Sequence, residues 1–161
     1  MPKTVPEHAN RQNWEQKRMK RLVCMAALLV VFGCSAGAAP LTSPADTRAL
    51  ADAFMKLVVQ DKISDAFELI RPQWPIPMSE LDTLSGKTEE QRKKIAPRFG
   101  DTLGSAFVRE DKVSDFLVRY TYVEKRDVHV IRWIFIFYRP GPVWKVNAIK
   151  WDDDSGALFN R

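Results

Sequence analysis

Cysteine is nearly missing from this chain of 161 residues: Cys24 and Cys34 are the only two, and both lie near the start. The remainder therefore has no disulfide, no thiolate nucleophile and no Cys-based metal site. Histidine is as scarce, with His8 and His129 alone. Sequence patterns for a serine hydrolase (G-x-S-x-G), a P-loop (G-x-x-x-x-G-K-S/T), a dinucleotide fold (G-x-G-x-x-G) and a zinc protease (H-E-x-x-H) are all lacking. No cofactor is implied. Gly100-Asp-Thr-Leu-Gly104 fits none of these motifs and marks the start of a sheet. There is no internal repeat and no low-complexity tract, and the length suits a single domain.

Charge of one sign is also lacking once the first residues are set aside. The whole chain carries +5, with pI near 9.3, which invites a nucleic-acid reading. Residues 1–38, however, hold six of the basic residues and only two acids, Glu7 and Glu15. The remaining 19 basic and 18 acidic residues nearly cancel. A chain so balanced lacks the phosphate-neutralising patch of a nucleic-acid binder.

What is present near the start is an apolar run of 12, Leu22–Gly33, preceded by Lys20 and Arg21. It is too short to span about 30 Å of hydrocarbon, but it suits the core of a secretory signal. Ala36-Gly37-Ala38 then predicts cleavage after Ala38, giving a leader over 1–38 and one domain over 39–161. The stretch from Met19 is a complete compact signal, so translation starts either there or at Met1. Val31-Phe32-Gly33-Cys34 resembles a lipobox, although Phe32 stands where a small residue is usual. The expected product is thus a free periplasmic or secreted protein, or else an outer-membrane lipoprotein lipidated at Cys34. Its membrane contact is through the leader or the lipid only.

Beyond the leader, Ser43-Pro44 with Asp46 is a helix start. Leu50, Phe54, Leu57 and Val58 recur at helical spacing after it. A second short helix runs from Ser64-Asp65 to Ile70, stopped by Pro72. Pro72–Pro77 should be extended. Ser79–Asp82 opens a short helix ending at Ser85-Gly86, and Thr88–Gln91 opens a charged, solvated helix to about Ala96, before Pro97.

From Leu103 the period becomes two. Leu103–Glu110 reads as a strand closed by Asp111-Lys112, and Phe116–Val123 as a second. Glu124–Asp127 reads as a polar hairpin loop. Val128–Arg139 and Val143–Trp151 complete the set, separated by Pro140-Gly141-Pro142. The fold class is α+β, with N-terminal helices packed on a curved antiparallel sheet of about four strands.

This order, with the ending Phe137-Tyr138-Arg139-Pro140-Gly141-Pro142-Val143-Trp144-Lys145-Val146, resembles the nuclear-transport-factor-two-like, or cystatin-like, superfamily over residues 44–152. The resemblance implies helices in the concave face of the sheet around a cone-shaped pocket. The superfamily includes isomerases, dehydratases, transport adaptors and binding modules, so it does not fix an activity. Its steroid-isomerase-like members use a Tyr on the first helix and two pocket acids. Here that helix carries Phe54 and no Tyr, and the strand interiors carry no acid beyond Asp115, near a strand end.

Among candidate site residues, His129 beside Asp127 could serve as a general base, or simply sit exposed at a hairpin. Asp152-Asp153-Asp154 offers oxygen ligands to a hard cation but lacks the spacing of a calcium loop, so no metal site is expected. Aromatics exceed what a core of this size requires: Trp74, Tyr120, Tyr122, Trp133, Tyr138, Trp144 and Trp151. Arg119 and Arg132 lie among them, pointing either into a pocket towards a carboxylate or phosphate, or outwards. Trp74, Arg119, Tyr120, Tyr122, Arg132 and Trp133 are the candidate ligand-binding residues, with no catalytic set.

The expectation is a non-enzymatic binding or interaction module of the bacterial envelope, taking a small ligand in the cone or pairing through the sheet face. The pairing would be a homodimer or an envelope partner of assembly or immunity type. The alternative is a pocket enzyme, an isomerase or lyase. The strand Val128–Arg139, apolar on both faces, carries the expectation of an interface.

Overall fold

In a computed structural model of the chain, residues 39–160 are described; the apolar run, Met19, Cys24, Cys34 and the Ala36–Ala38 cleavage motif lie outside them. Ala38–Arg161 is one compact unit. It has three helices followed by a four-stranded antiparallel sheet, the expected α+β class.

Helix α1 spans Pro44–Val59. The Ser43 hydroxyl accepts the Asp46 N–H at 3.2 Å, and the Asp46 carboxylate accepts the Ser43 N–H at 2.8 Å. This reciprocal cap, with Pro44 in the first turn, sets the helix start. Ala51, Phe54, Met55 and Val58 form its buried stripe. Asp61 then turns the chain with φ +58°, a left-handed conformation that Asp tolerates better than most residues. Helix α2 follows at Ile63–Ile70, burying Ile63, Ala66, Phe67 and Ile70.

Three expectations fail in the next stretch. Pro72–Pro77 is not extended from its start: Arg71–Gln73 forms a 3-10 turn, in which Pro72 sits at an N-terminal position where its missing N–H costs nothing. The two short helices are one, α3 (Met78–Phe99), which runs through Gly86 and holds Pro97 in its last turn. Nor is it a solvated element. Leu81, Thr88, Arg92 and Phe99 are buried, with Leu84 and Ile95 packed against the core. These six positions recur every three or four residues, and this stripe outweighs the single glycine.

The sheet has the order β1 (Thr102–Val113), β2 (Leu117–Arg126), β3 (Val130–Tyr138), β4 (Lys145–Asp152). Register shifts interrupt β1 at Thr102/Gly104 and Phe107/Arg109, and the β3–β4 pair at Ile136/Phe137. Such bulges bend and twist a sheet. The first strand continues past Glu110, because Asp111 pairs with Arg119 across the ladder. Glu124–Asp127 is not a loop: Glu124 pairs with Ile131 and Lys125 with Val130, so the turn is only Asp127–His129.

Gly100 joins α3 to β1 with φ +78°, and a methyl group there would lie 2.6 Å from the Asp127 Cβ. Only glycine meets both demands. The closeness has a purpose: Asp101 N–H donates to the Asp127 carboxylate at 2.9 Å, and Val128 N–H to the Phe99 carbonyl at 3.0 Å. The end of α3 is thereby fastened to the β2–β3 turn.

The inner sheet face carries Val118, Tyr120 and Tyr122 from β2, Ile131, Trp133, Phe135 and Phe137 from β3, and Val146 and Ile149 from β4, all buried. Phe54 of α1 lies at the centre, its ring 5.3, 5.8 and 5.1 Å from those of Phe67, Trp133 and Phe135. The concave side of the sheet is therefore filled with aromatic side chains where the superfamily resemblance implies a cone-shaped pocket.

The outer face is less buried, with Val130, Ile134 and Ile136 half-exposed and Tyr138 exposed. It is not wholly open. The C-terminal segment leaves β4, makes a 3-10 turn at Gly156–Leu158, and reaches the opposite edge, where Arg109 donates to the Leu158 carbonyl at 3.1 Å.

Candidate functional site

The strongest polar feature is a carboxylate inside the core. Glu124 lies on the inner face two residues beyond Tyr122 and has no exposed surface. Four donors converge on it. Arg92 Nη1 at 2.6 Å and Trp133 Nε1 at 3.0 Å reach one oxygen; Thr102 Oγ1 at 2.8 Å and Arg126 Nη1 at 3.0 Å reach the other. Burial pushes the Glu124 carboxyl up, but Arg92, Thr102 and Trp133 outweigh it and hold the group below the ordinary carboxylate value. It stays ionised at neutral pH.

Over this network lies a cleft of about 540 Å³, outside the aromatic core. The α1–α2 turn (Val59–Ile63), one face of α3 (Glu89, Arg92, Lys93, Ala96), the start of β1 (Asp101, Thr102) and the end of β2 (Arg126) form its walls. Fold and site are tied together here. Gly100 fixes the corner where α3 meets β1, and its carbonyl accepts Arg126 Nε at 2.9 Å. Arg92 comes from the helical stripe already described, four residues after Thr88.

The two inner-face phenols are satisfied, whereas the buried Trp144 Nε1 has no partner among the described residues. Tyr120 OH donates to the Pro44 carbonyl and shares a hydrogen bond with Thr47 Oγ1, each at 2.9 Å. Tyr122 OH donates to Asp52 at 2.7 Å, and Arg48, stacked 3.4 Å over the Phe107 ring, donates to the same carboxylate. Burial, then the Asp52 carboxylate, pushes the Tyr122 phenol well above its usual range, so it remains a donor.

The candidate residues separate into three places. Tyr120, Tyr122 and Trp133 come together on the inner face, within the filled core. Arg119 and Arg132 lie on the outer face, where each pairs with its cross-strand neighbour: Arg119 with Asp111 at 2.9 Å and Arg132 with Asp152 at 2.7 Å. Trp74 lines a separate shallow depression with Ser79, Thr83, Leu84 and Lys87.

His129 stands at the β2–β3 turn against the Phe99 ring, its Nε2 3.3 Å from the Asp153 carbonyl oxygen. Asp127 is engaged instead by the Asp101 N–H. Asp152 is held by Arg132, and Asp154 accepts the Ala157 N–H. Among the described residues no three His, Cys, Asp or Glu side chains converge as a metal site would require, and no helix is long and apolar enough to cross a membrane.

The sequence reading missed Glu124, Arg92, Arg126 and Thr102. A signal for Glu124 existed: it continues the alternation Val118, Tyr120, Tyr122 by one further step. Comparison with protein-family models, curated proteins and solved structures finds no match.

Proposed function

We propose that the domain is an exported, non-catalytic binding module of the bacterial envelope whose ligand site is the cleft over Arg92 and Glu124. The observation that carries the reading is the contrast between the two halves of the concave side. The interior is filled, and its phenols and carboxylate are consumed by internal hydrogen bonds. The polar cleft beside it is open. Small-ligand sites place a few oriented polar groups in a preformed concavity, and this cleft has buried guanidinium groups at its floor. The pocket-enzyme alternative, placed in the cone, would instead need a free carboxylate or histidine in the interior, where Glu124 is fully engaged.

The order of helices and strands supports membership of the nuclear-transport-factor-two-like superfamily. The leader supports export, with a mature start at Ala39 or at a lipidated Cys34. Mass spectrometry of the envelope fraction should find one of these two termini; a cytoplasmic protein still carrying Met1 or Met19 contradicts export. The near-neutral charge beyond residue 38 supports a partner other than nucleic acid.

Binding at the cleft is tested by mapping backbone amide shifts against a set of small polar compounds. Perturbations should concentrate at residues 59–63, 89–96, 101–102 and 126. A second reading, pairing of two copies or of an envelope partner through the outer sheet face, is favoured by half-exposed Val130, Ile134 and Ile136. It predicts perturbation there instead, on raising protein concentration or adding the partner.

A further inference from the structure

We propose that the cleft floor is an oxyanion site, in which Arg92 and Arg126 take the carboxylate or phosphate group of a small ligand. The inference rests on the binding-module reading and adds the ligand's chemistry to it. Two guanidinium groups, with side chains only 4% and 6% exposed, share a single buried carboxylate, Glu124. One buried positive charge is thus left without a buried partner, an arrangement that favours a further anion.

The chain supplies only a weak substitute. Asp61 approaches Arg92 Nη2 at 3.3 Å, but its side chain is 81% exposed and readily displaced. Arg92 Nε is buried with no hydrogen-bond partner. Arg126 gives Nε to the Gly100 carbonyl and Nη1 to Glu124, and its Nη2 has no protein acceptor among the described residues. Planar guanidinium groups with free donors suit the oxygens of a carboxylate or phosphate.

The walls narrow the class further. Lys93 adds positive charge, whereas Glu89 and Asp101 add negative charge around the same cleft. Those two acids repel a polyanion. They accept a small molecule that carries one oxyanion group to the floor and leaves a neutral or cationic remainder at the mouth. Asp61 lies where that oxyanion would sit, so ligand and Asp61 compete.

The test uses protein purified from cells expressing the whole chain, at low ionic strength, titrated separately with sodium phosphate and sodium acetate. The readout is the Nε–H resonances of Arg92 and Arg126, with sodium chloride at matched ionic strength as control. A saturable shift with phosphate, acetate or both is expected, absent with chloride; the anion that saturates first distinguishes a phosphate from a carboxylate ligand.

Asp61→Asn should tighten binding about threefold or more, in line with removing a competing exposed charge. It is a safe substitution, because the residue is exposed and Asn accepts positive φ. Arg126→Gln should weaken binding at least about tenfold, a loss appropriate to a charge-assisted hydrogen bond. Should that variant fail to fold, Asp61→Asn still decides. Lys94→Gln, outside the cleft, should change nothing. No saturable shift with either anion in both the wild type and Asp61→Asn overturns the proposal, as does an equal response to chloride. A neutral compound that binds the cleft while both anions fail overturns the ligand class and leaves the binding-module reading intact.

Discussion

Glu124→Ala is expected to lower the unfolding free energy by about 3–5 kcal/mol, the cost of removing one partner from a buried ion pair. The loss is large because the variant strands three donors inside the protein together with a buried Arg92 charge. Trp133 Nε1, Thr102 Oγ1 and Arg126 Nη1 would all face a void. Glu124→Gln should recover only part of the loss: its amide has one oxygen to accept with, and its NH₂ must face donors. Denaturant midpoints at pH 7 measure both.

The same group makes stability depend on pH. The folded-state carboxyl is held below its ordinary value of 4.5. A depressed acid contributes stability that is fully present above the unfolded value and is lost as pH falls towards and through the folded one. Stability should therefore decline below about pH 4.5, and Glu124→Gln should flatten that part of the profile. A profile identical in wild type and Glu124→Gln would show that the buried carboxylate is not the titrating group.

Phe135→Ala and Ile134→Ala are expected to differ sharply although the residues are adjacent. Phe135 is buried and packs against Phe54 at 5.1 Å and Tyr122 at 5.6 Å. Its truncation should cost about 3–5 kcal/mol. Ile134 is half-exposed on the outer face, opposite Thr121 and Lys150, so its loss should cost about 1 kcal/mol, a fraction of full side-chain burial. If the outer face is an interface, Ile134→Ala should also weaken self-association or partner binding, visible by sedimentation. Equal destabilisation with no change in association would make both faces core.

The fold was legible because its signals were periodic and long. The Ser43 cap, the stripe Leu50–Val58 and the alternating strands each specified an element without tertiary help. Errors fell where a local breaker competed with a longer pattern. From the sequence alone Gly86 divides α3 and Pro97 ends it early, although Leu81, Leu84, Thr88, Arg92, Ile95 and Phe99 keep one helical phase across Gly86. The stripe is hard to see because Thr88 and Arg92 are polar.

Glu124 was hidden in the same way. Within Glu-Lys-Arg-Asp it resembles a solvated hairpin, and only the strand phase shows that it points inward. Its burial also requires Arg92, 32 residues earlier, and no short-range pattern announces that partnership. Arg119 and Arg132 attracted notice because aromatics flank them. Flanking residues in a strand lie on the opposite face, however, and those aromatics are turned to the core while the arginines are turned away. The two arginines that do line the cleft sit in charged stretches with nothing aromatic beside them.

The proposed ligand site is the cleft over Arg92 and Arg126, and not the sheet's concave interior. A crystal structure grown with a compound selected by the cleft-mapping experiment tests it most directly. The predicted result is ligand density between the Val59–Ile63 turn and α3, with Phe54, Tyr122, Trp133 and Phe135 unmoved. Density among those four aromatic side chains, with the core opened to admit it, would contradict binding in the cleft and favour the pocket-enzyme alternative.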